Sequence, residues 1–164
     1  MQQPPLSYAG FWRRFAAYLI DTIIIGIVFG ILFFIFGGLF GLGMMSSDME
    51  FDEESIQSDD PAALLIGAMI GTIVLFSIIS TVAQWLYFAL MEASSNQGTL
   101  GKMAMGIKVT DTMGYPITFG RATGRYFGKI LSGAILMIGY IMAAFTERKQ
   151  ALHDMMAGTL VVDK

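Results

Sequence analysis

A single carboxylate inside a long apolar run constrains this chain more than any other feature. Asp21 is the only charged residue in the 26 residues from Phe15 to Phe40. At ~1.5 Å per residue, a helix of that length exceeds the ~30 Å hydrocarbon core of a bilayer. A carboxylate at membrane depth costs about 2.5–3.5 kcal/mol on insertion scales, so it is expected to have a partner or a task. The run therefore predicts a membrane-spanning helix that carries a buried ionisable group.

The composition agrees with an integral membrane protein of one domain. Hydrophobic residues make up 55% of the 164 residues, and charged residues make up only 14%. The chain has no cysteine, which excludes disulfides and thiolate metal sites. A single histidine cannot form a histidine-rich metal site. We expect no metal, no cofactor and no nucleic-acid partner.

Two further apolar runs complete the predicted fold, an all-α membrane protein. Ala62–Met91 has no charge and predicts a second span, whereas Ile130–Thr146 is short for crossing. The third run is predicted either to span or to form a re-entrant hairpin bent near Gly133 or Gly139. The predicted segments are a helix at about 11–40, an acidic external loop at 41–61, a helix at 62–91, a cytoplasmic loop at 92–129, a hydrophobic segment at 130–146 and a tail at 147–164.

Charge asymmetry predicts the orientation in the membrane. Basic residues favour the cytoplasmic side, and Arg13 and Arg14 precede the first span. The loop between the first two runs is acidic and has no Lys or Arg; its acids are Asp48, Glu50, Asp52, Glu53, Glu54, Asp59 and Asp60. We therefore predict a multi-pass protein of the cell inner membrane with a cytoplasmic N-terminus.

A small β-hairpin is predicted on the cytoplasmic side. Ile107–Thr110 has strand-like alternation, 111–114 is typical of a turn, and Tyr115–Phe119 would return as the second strand. Leu160–Val162 is a third β-prone segment.

Two stripes of polar residues on helices suggest buried charges. Arg14, Tyr18 and Asp21 have i, i+4, i+7 spacing, which places them on one helix face. They form either a polar groove or an anchoring arginine with a paired carboxylate. Arg121, Arg125 and Lys129 form a second stripe; Gly120, Gly124 and Gly128 form a parallel stripe of small residues. Asp21 and Asp154 are the candidate partners of these cations, and simple positive-inside anchoring is the alternative.

Small residues and one amide predict helix packing. Gly26 and Gly30 in the first span, and Gly67 and Gly71 in the second, follow small-xxx-small spacing, which permits close helix contact within or between chains. Gln84 is predicted to donate a hydrogen bond across such a contact. His153 precedes Asp154, but no local pattern brings a serine to it, so we expect no enzyme activity.

The combination of motifs resembles the RDD family of small membrane proteins. The matching segments are Arg13 to Asp21, Gly98 to Lys102, Gly106 to Asp111, Gly114, Arg125, Gln150 to Asp154 and Ala157 to Thr159. The resemblance implies that Arg14, Asp21 and Asp154 are the arginine and the aspartates for which the family is named. It also implies a link with sodium/proton exchange, which is associated with some members.

Two functions follow as hypotheses. In the first, Asp21 carries a proton or Na⁺ in cation/proton exchange, tuned by Arg14, Arg125 or Asp154, and a homo-oligomer supplies the pathway. In the second, the protein is a non-transporting accessory or assembly subunit that binds a partner membrane protein. Lipid headgroup binding by the basic stripe is a third possibility.

Overall fold

The computed structural model describes residues 7–46, 61–135 and 137–164, and most of these are helical. The elements in chain order are α1 (Phe11–Ser46), α2 (Pro61–Ala93), α3 (Leu100–Ala104), β1 (Ile107–Asp111), α4 (Phe119–Ala134), α5 (Ile138–Ile141), a 3₁₀ turn (Met142–Ala144), α6 (Leu152–Ala157) and β2 (Thr159–Asp163). The predicted helical fold with a small sheet is confirmed. The seven acids predicted in an external loop lie outside the described residues.

Two helices are long and apolar enough to cross a membrane. Phe11–Gly43 and Ile66–Ala93 meet this condition, as the two long apolar runs predict. Helix α1 continues to Ser46, into the segment predicted to be a loop. These helices make the protein a multi-pass membrane protein, while the side on which its N-terminus lies stays a prediction.

The chain divides into two compact units. We call Met1–Ile24 with Gln84–Lys164 the polar unit and Ile25–Ala83 the apolar unit. In the apolar unit, Phe76 of α2 packs edge-on against Phe29 and Phe33 of α1. Hydroxyl groups in this unit bond to their own helix; for example, Thr72 donates to the carbonyl of Ala68 at 2.9 Å. No described residue of the apolar unit has an ionisable side chain.

The sheet of the polar unit joins distant parts of the chain. Strand β1 pairs antiparallel with β2, so that Val109 lies opposite Val161. Tyr8 forms a bridge with Val162 on the other edge of β2, and Ala9 N donates to Val161 O at 2.9 Å. The turn at 111–114 is present, but the predicted return strand Tyr115–Phe119 is wrong. Instead, Ile107 and Val109 of β1 belong with Val161 of β2 to one buried hydrophobic core.

The third apolar segment is bent rather than straight. Helix α4 and the segment Ile138–Ala144 meet at 117°, across a break between the two glycines at which a bend was predicted. Gly139 permits the bend, because a Cβ there would lie 2.7 Å from Ser132 Cβ. The strand that follows pairs with β1, which precedes α4. A hydrogen-bonded ladder cannot join strands on opposite sides of a bilayer, so this geometry favours the re-entrant alternative.

Candidate functional site

A network of buried ion pairs lies in the polar unit, and Asp154 is one of its two centres. Asp154 is fully buried and accepts a hydrogen bond from Arg14 Nη1 at 2.5 Å. Its other oxygen lies 2.9 Å from Arg125 Nη2. That contact is an ion pair without hydrogen-bond alignment, since Asp154 Oδ1 has no hydrogen-bond partner. The predicted pairing of Arg125 with Asp154 is therefore present.

Glu92 is the second centre of the network. It is 1% exposed and forms ion pairs with Lys102, with Lys129 at 3.3 Å and with Arg125 at 3.7 Å. Arg125 thus bridges two carboxylates that come from α2 and α6. Lys129 also lies 4.4 Å above the centre of the Phe88 ring, a cation–π contact.

Asp21 is held by neutral donors. Its carboxylate accepts hydrogen bonds from Thr99 Oγ1 at 2.5 Å, Gly101 N at 2.8 Å and Tyr87 Oη at 3.1 Å. No described Lys, Arg or His lies within ion-pair distance of it, so the predicted pairing of Asp21 with a cation is wrong for the described chain. The close approach requires glycine, because a Cβ at Gly101 would lie 2.1 Å from the carbonyl oxygen of Ala17.

His153 contacts the first centre in its neutral form. Its Nδ1 lies 3.3 Å from Ser132 Oγ, and its Nε2 lies 3.5 Å from Asp154 Oδ1. Burial lowers the pKa of His153 to about 3, although Asp154 opposes this shift. Ser132 is fully buried and donates to the carbonyl of Gly128 at 2.8 Å. The Ser132 hydroxyl thus donates its proton to a backbone oxygen, whereas a catalytic serine would donate it to the histidine.

The same ion-pair network affects the pKa values of Asp154 and Lys102, which lie outside the membrane-spanning helices. Burial alone would raise the pKa of Asp154, but Arg125 and Arg14 hold it down at about 2. Burial lowers the pKa of Lys102 to about 7, and Glu92 offsets part of this shift. The pKa of Asp154 therefore lies well below neutral pH, whereas that of Lys102 lies close to it.

The remaining predicted residues lie in different places. Arg121 is half exposed and lies 3.9 Å from Asp111. Tyr18 is half exposed at the rim of a cavity. Gln84 is half-buried, and none of the described groups forms a hydrogen bond with its side chain. Gly128 packs against His153, with 3.0 Å from a built Cβ to His153 Cβ.

Most predicted packing glycines have open space around them. A Cβ built at each meets no described atom within 4 Å; these are Gly26, Gly30, Gly67, Gly71, Gly120 and Gly124. The intrachain contacts that their spacing allowed are therefore absent from the described residues. Contacts between chains stay a prediction.

The sequence reading missed two members of the network. Glu92 directly follows an uncharged run of 30 residues, so its position in the sequence is that of an ordinary acid at the end of a span. Lys102 lies in a segment that matches the family, but no spacing pattern links it to the other charges. In the described ranges, no three His, Asp or Glu side chains meet in a way that could hold a metal ion.

Comparisons with known proteins extend over nearly the whole chain. The sequence model of the RDD family matches residues 8–158. The uncharacterized protein YxaI of Bacillus subtilis (strain 168) is 40% identical over 156 residues, which cover 95% of this chain and 97% of that protein. The uncharacterized membrane protein YteJ of the same organism is 31% identical over 163 residues, which cover 95% of this chain and 81% of that protein. No solved structure matches.

Proposed function

The chain belongs to the RDD family, and from that premise we propose that it is a non-transporting accessory or assembly subunit of a membrane protein complex. In this role the polar unit is a rigid, charge-compensated platform, and the apolar unit binds another membrane helix. The observation that carries the proposal is the environment of Asp21, the residue on which a transport mechanism would depend.

The groups around Asp21 suit an anion and not a cation. Hydroxyl groups and a backbone N–H donate to its oxygens. An N–H group cannot coordinate Na⁺, which requires oxygen ligands. Asp21 in this position fixes α3 against α1. A carrier of protons or Na⁺ would need to release these donors in every cycle.

The apolar unit gives a second argument. Its described residues include no ionisable side chain, and its hydroxyl groups bond within their own helices, as Thr81 does to the carbonyl of Ser77 at 2.8 Å. One protomer therefore offers few polar groups along which an ion could move. Its glycines at 26, 30, 67 and 71 leave open surface where a partner helix can approach closely.

The proposal is tested by the assembly state in native membranes. Membranes are solubilised in a mild detergent, and the complex is sized by native mass spectrometry. We expect an assembly with a second membrane protein, which dissociates in the double variant Gly26→Leu, Gly30→Leu. The matched control is Ile27→Leu, which changes an exposed apolar residue of the same helix. A lone protomer, or a complex that the glycine variant leaves intact, would contradict the proposal.

Cation/proton exchange is the second candidate, and one observation favours it. Lys102 is buried against Glu92, and its lowered pKa of about 7 allows proton exchange at physiological pH. The measurement is Na⁺-driven change of internal pH in proteoliposomes. Wild-type flux that is lost in both Lys102→Met and Lys102→Arg would support exchange and overturn the accessory role, because arginine stays protonated at physiological pH.

A further inference from the structure

A cavity of about 340 Å³ lies in the polar unit between the beginning of α1 and the bent segment α4–α5. This volume falls within the ~300–1,000 Å³ that is usual for small-molecule sites. Apolar side chains form most of its wall, chiefly Phe11, Phe15, Phe88, Met137, Ile141 and Val161. A volume near the lower limit, with a long apolar wall, suits one acyl chain better than two.

The polar part of the wall includes four cations, together with one carboxylate, His153 and two tyrosines. Arg14, Lys102, Arg125 and Lys129 line the cavity, and Asp21 is the carboxylate among its lining residues. With the buried partners Glu92 and Asp154, the region holds four basic groups and three carboxylates. When Lys102 is protonated, one positive charge is left over. A monoanionic headgroup would complete the charge balance.

Arg125 gives independent evidence of a missing acceptor. Its side chain is 3% exposed, and neither Nε nor Nη1 has a hydrogen-bond partner among the described groups. Buried N–H groups without acceptors are rare, and each one normally has a structural or functional reason. An oxyanion in the cavity would supply the acceptor that the protein does not.

We propose that this cavity binds an anionic single-chain amphiphile, with a carboxylate or phosphate headgroup near Arg125 and Lys129 and an acyl chain along the phenylalanines. Acyl chains have access to such a site, since α1 and the bent segment are apolar enough to enter a membrane. This inference is independent of the accessory role, because it concerns a ligand and not a partner helix.

The test uses the full chain in nanodiscs of phosphatidylcholine, with dansyl-undecanoate as the fluorescent probe. We expect saturable binding, with displacement by dodecanoate and dodecyl phosphate. Dodecyltrimethylammonium should not displace the probe at the same concentration, since it has the opposite charge. Inorganic phosphate should also fail, because it lacks the acyl chain.

Three variants on α4 test the site, and two of them, at glycines, separate the cavity from the surface. Gly133 lines the cavity and has space for a side chain, so Gly133→Leu should fill the site and weaken binding about tenfold or more. Gly124→Leu is the matched control; it also has open space but does not line the cavity, and its affinity should stay within about twofold of wild type. Lys129→Gln, which removes a partly exposed cation, should weaken binding about tenfold.

Several results would overturn the proposal. Equal displacement by the cationic amphiphile would mean that the probe only partitions into lipid. Equal displacement by inorganic phosphate would mean an anion site without a role for the acyl chain. Equal weakening by Gly133→Leu and Gly124→Leu would place the probe elsewhere. If Gly133→Leu does not fold, then unchanged affinity in Lys129→Gln would be the contradicting result.

Discussion

The charge on one residue, Asp154, determines whether two arginines are tolerated inside the polar unit. Arg14 and Arg125 are both largely buried, with 13% and 3% of their side chains exposed, and both contact this carboxylate. Removing one partner of a buried pair leaves the other charge desolvated and unpaired, which is worse than removing both. The network should therefore fail as a unit when this carboxylate is lost.

Asp154→Ala should lower the free energy of unfolding by about 3–5 kcal/mol, because Arg14 loses its counter-ion and Arg125 keeps only the more distant Glu92. The matched control is Asp163→Ala, which breaks the 2.5 Å pair with Arg13, whose side chain is 42% exposed. That pair should contribute about 0–1 kcal/mol. Unfolding in mixed micelles measures both, and equal losses would contradict the importance of burial.

His153 should make stability depend on pH. Its pKa is about 3 in the folded protein against an ordinary value of 6.5, so the unfolded chain binds more protons between these values. Stability from the neutral ring is complete above pH 6.5 and decreases as the pH falls, by up to about 1.4 kcal/mol per pH unit. Asp154, Arg125, Lys129 and Lys102 act on this ring electrostatically.

The measurement is the free energy of unfolding between about pH 7.5 and about pH 5.5, in wild type and in His153→Gln. The chain has one histidine, so the difference between the two slopes isolates its titration. We expect a shallower slope in the variant. Parallel slopes would show that His153 is not protected from protonation in the folded state.

Sequence spacing identified only part of the network, for a physical reason. A helical period shows which residues share a face, and this is how Arg121, Arg125 and Lys129 were found. It does not show which faces meet. Glu92 contacts residues 102, 125 and 129 on other elements. Asp21 was found as the only charge of an apolar run and Arg14 by its spacing to Asp21, whereas Glu92 at the end of a span looks like any acid at headgroup level.

At the scale of elements, α3 depends on the absence of a side chain at its second position. Gly101→Ala would place a Cβ 2.1 Å from the carbonyl oxygen of Ala17. Helix α1 or α3 must then move, which should destabilise the fold by about 1–3 kcal/mol or more. The loss should appear as a lower melting temperature.

Gly124→Ala is the matched control for this substitution, because its Cβ would have open space in α4. The intrinsic preference of helices for alanine should make this variant as stable as wild type or up to about 1 kcal/mol more stable. A melting temperature that is unchanged in Gly101→Ala would show that the contact of α1 with α3 is not tight.

Local sequence patterns predicted the two strands but not that they pair with each other. Ile107–Thr110 and Leu160–Val162 were both recognised as β-prone. The hairpin rule then paired the first with the nearest segment, 115–119, because short loops normally join paired strands. The observed partner lies about 50 residues away in sequence, and its selection depends on the buried faces that β1 and β2 share. Tertiary packing determines this strand pairing, and the periodicity of the sequence contains no information about it.

For the whole molecule, the pairing of β1 with β2 implies that the segments before and after the third apolar segment lie on one side of the membrane. Single introduced cysteines can test this without background labelling, because the wild-type chain has no cysteine. The first variant is Met113→Cys, in the exposed loop after β1. The second is Lys164→Cys, directly after β2. A membrane-impermeant maleimide should label both variants from the same side. Labelling from opposite sides would mean that the third segment crosses the bilayer.

The central position of β2 has a consequence for biosynthesis. Thr159–Asp163 follows every segment with which it pairs, so this strand is the last of them to emerge from the ribosome. Until Asp154 and β2 arrive, the guanidinium groups of Arg14 and Arg125 have no carboxylate from α6. A prematurely terminated product would thus keep Arg14 without its counter-ion and β1 with an open strand edge. These are chemical marks by which cellular proteases would distinguish an aborted chain from a finished one.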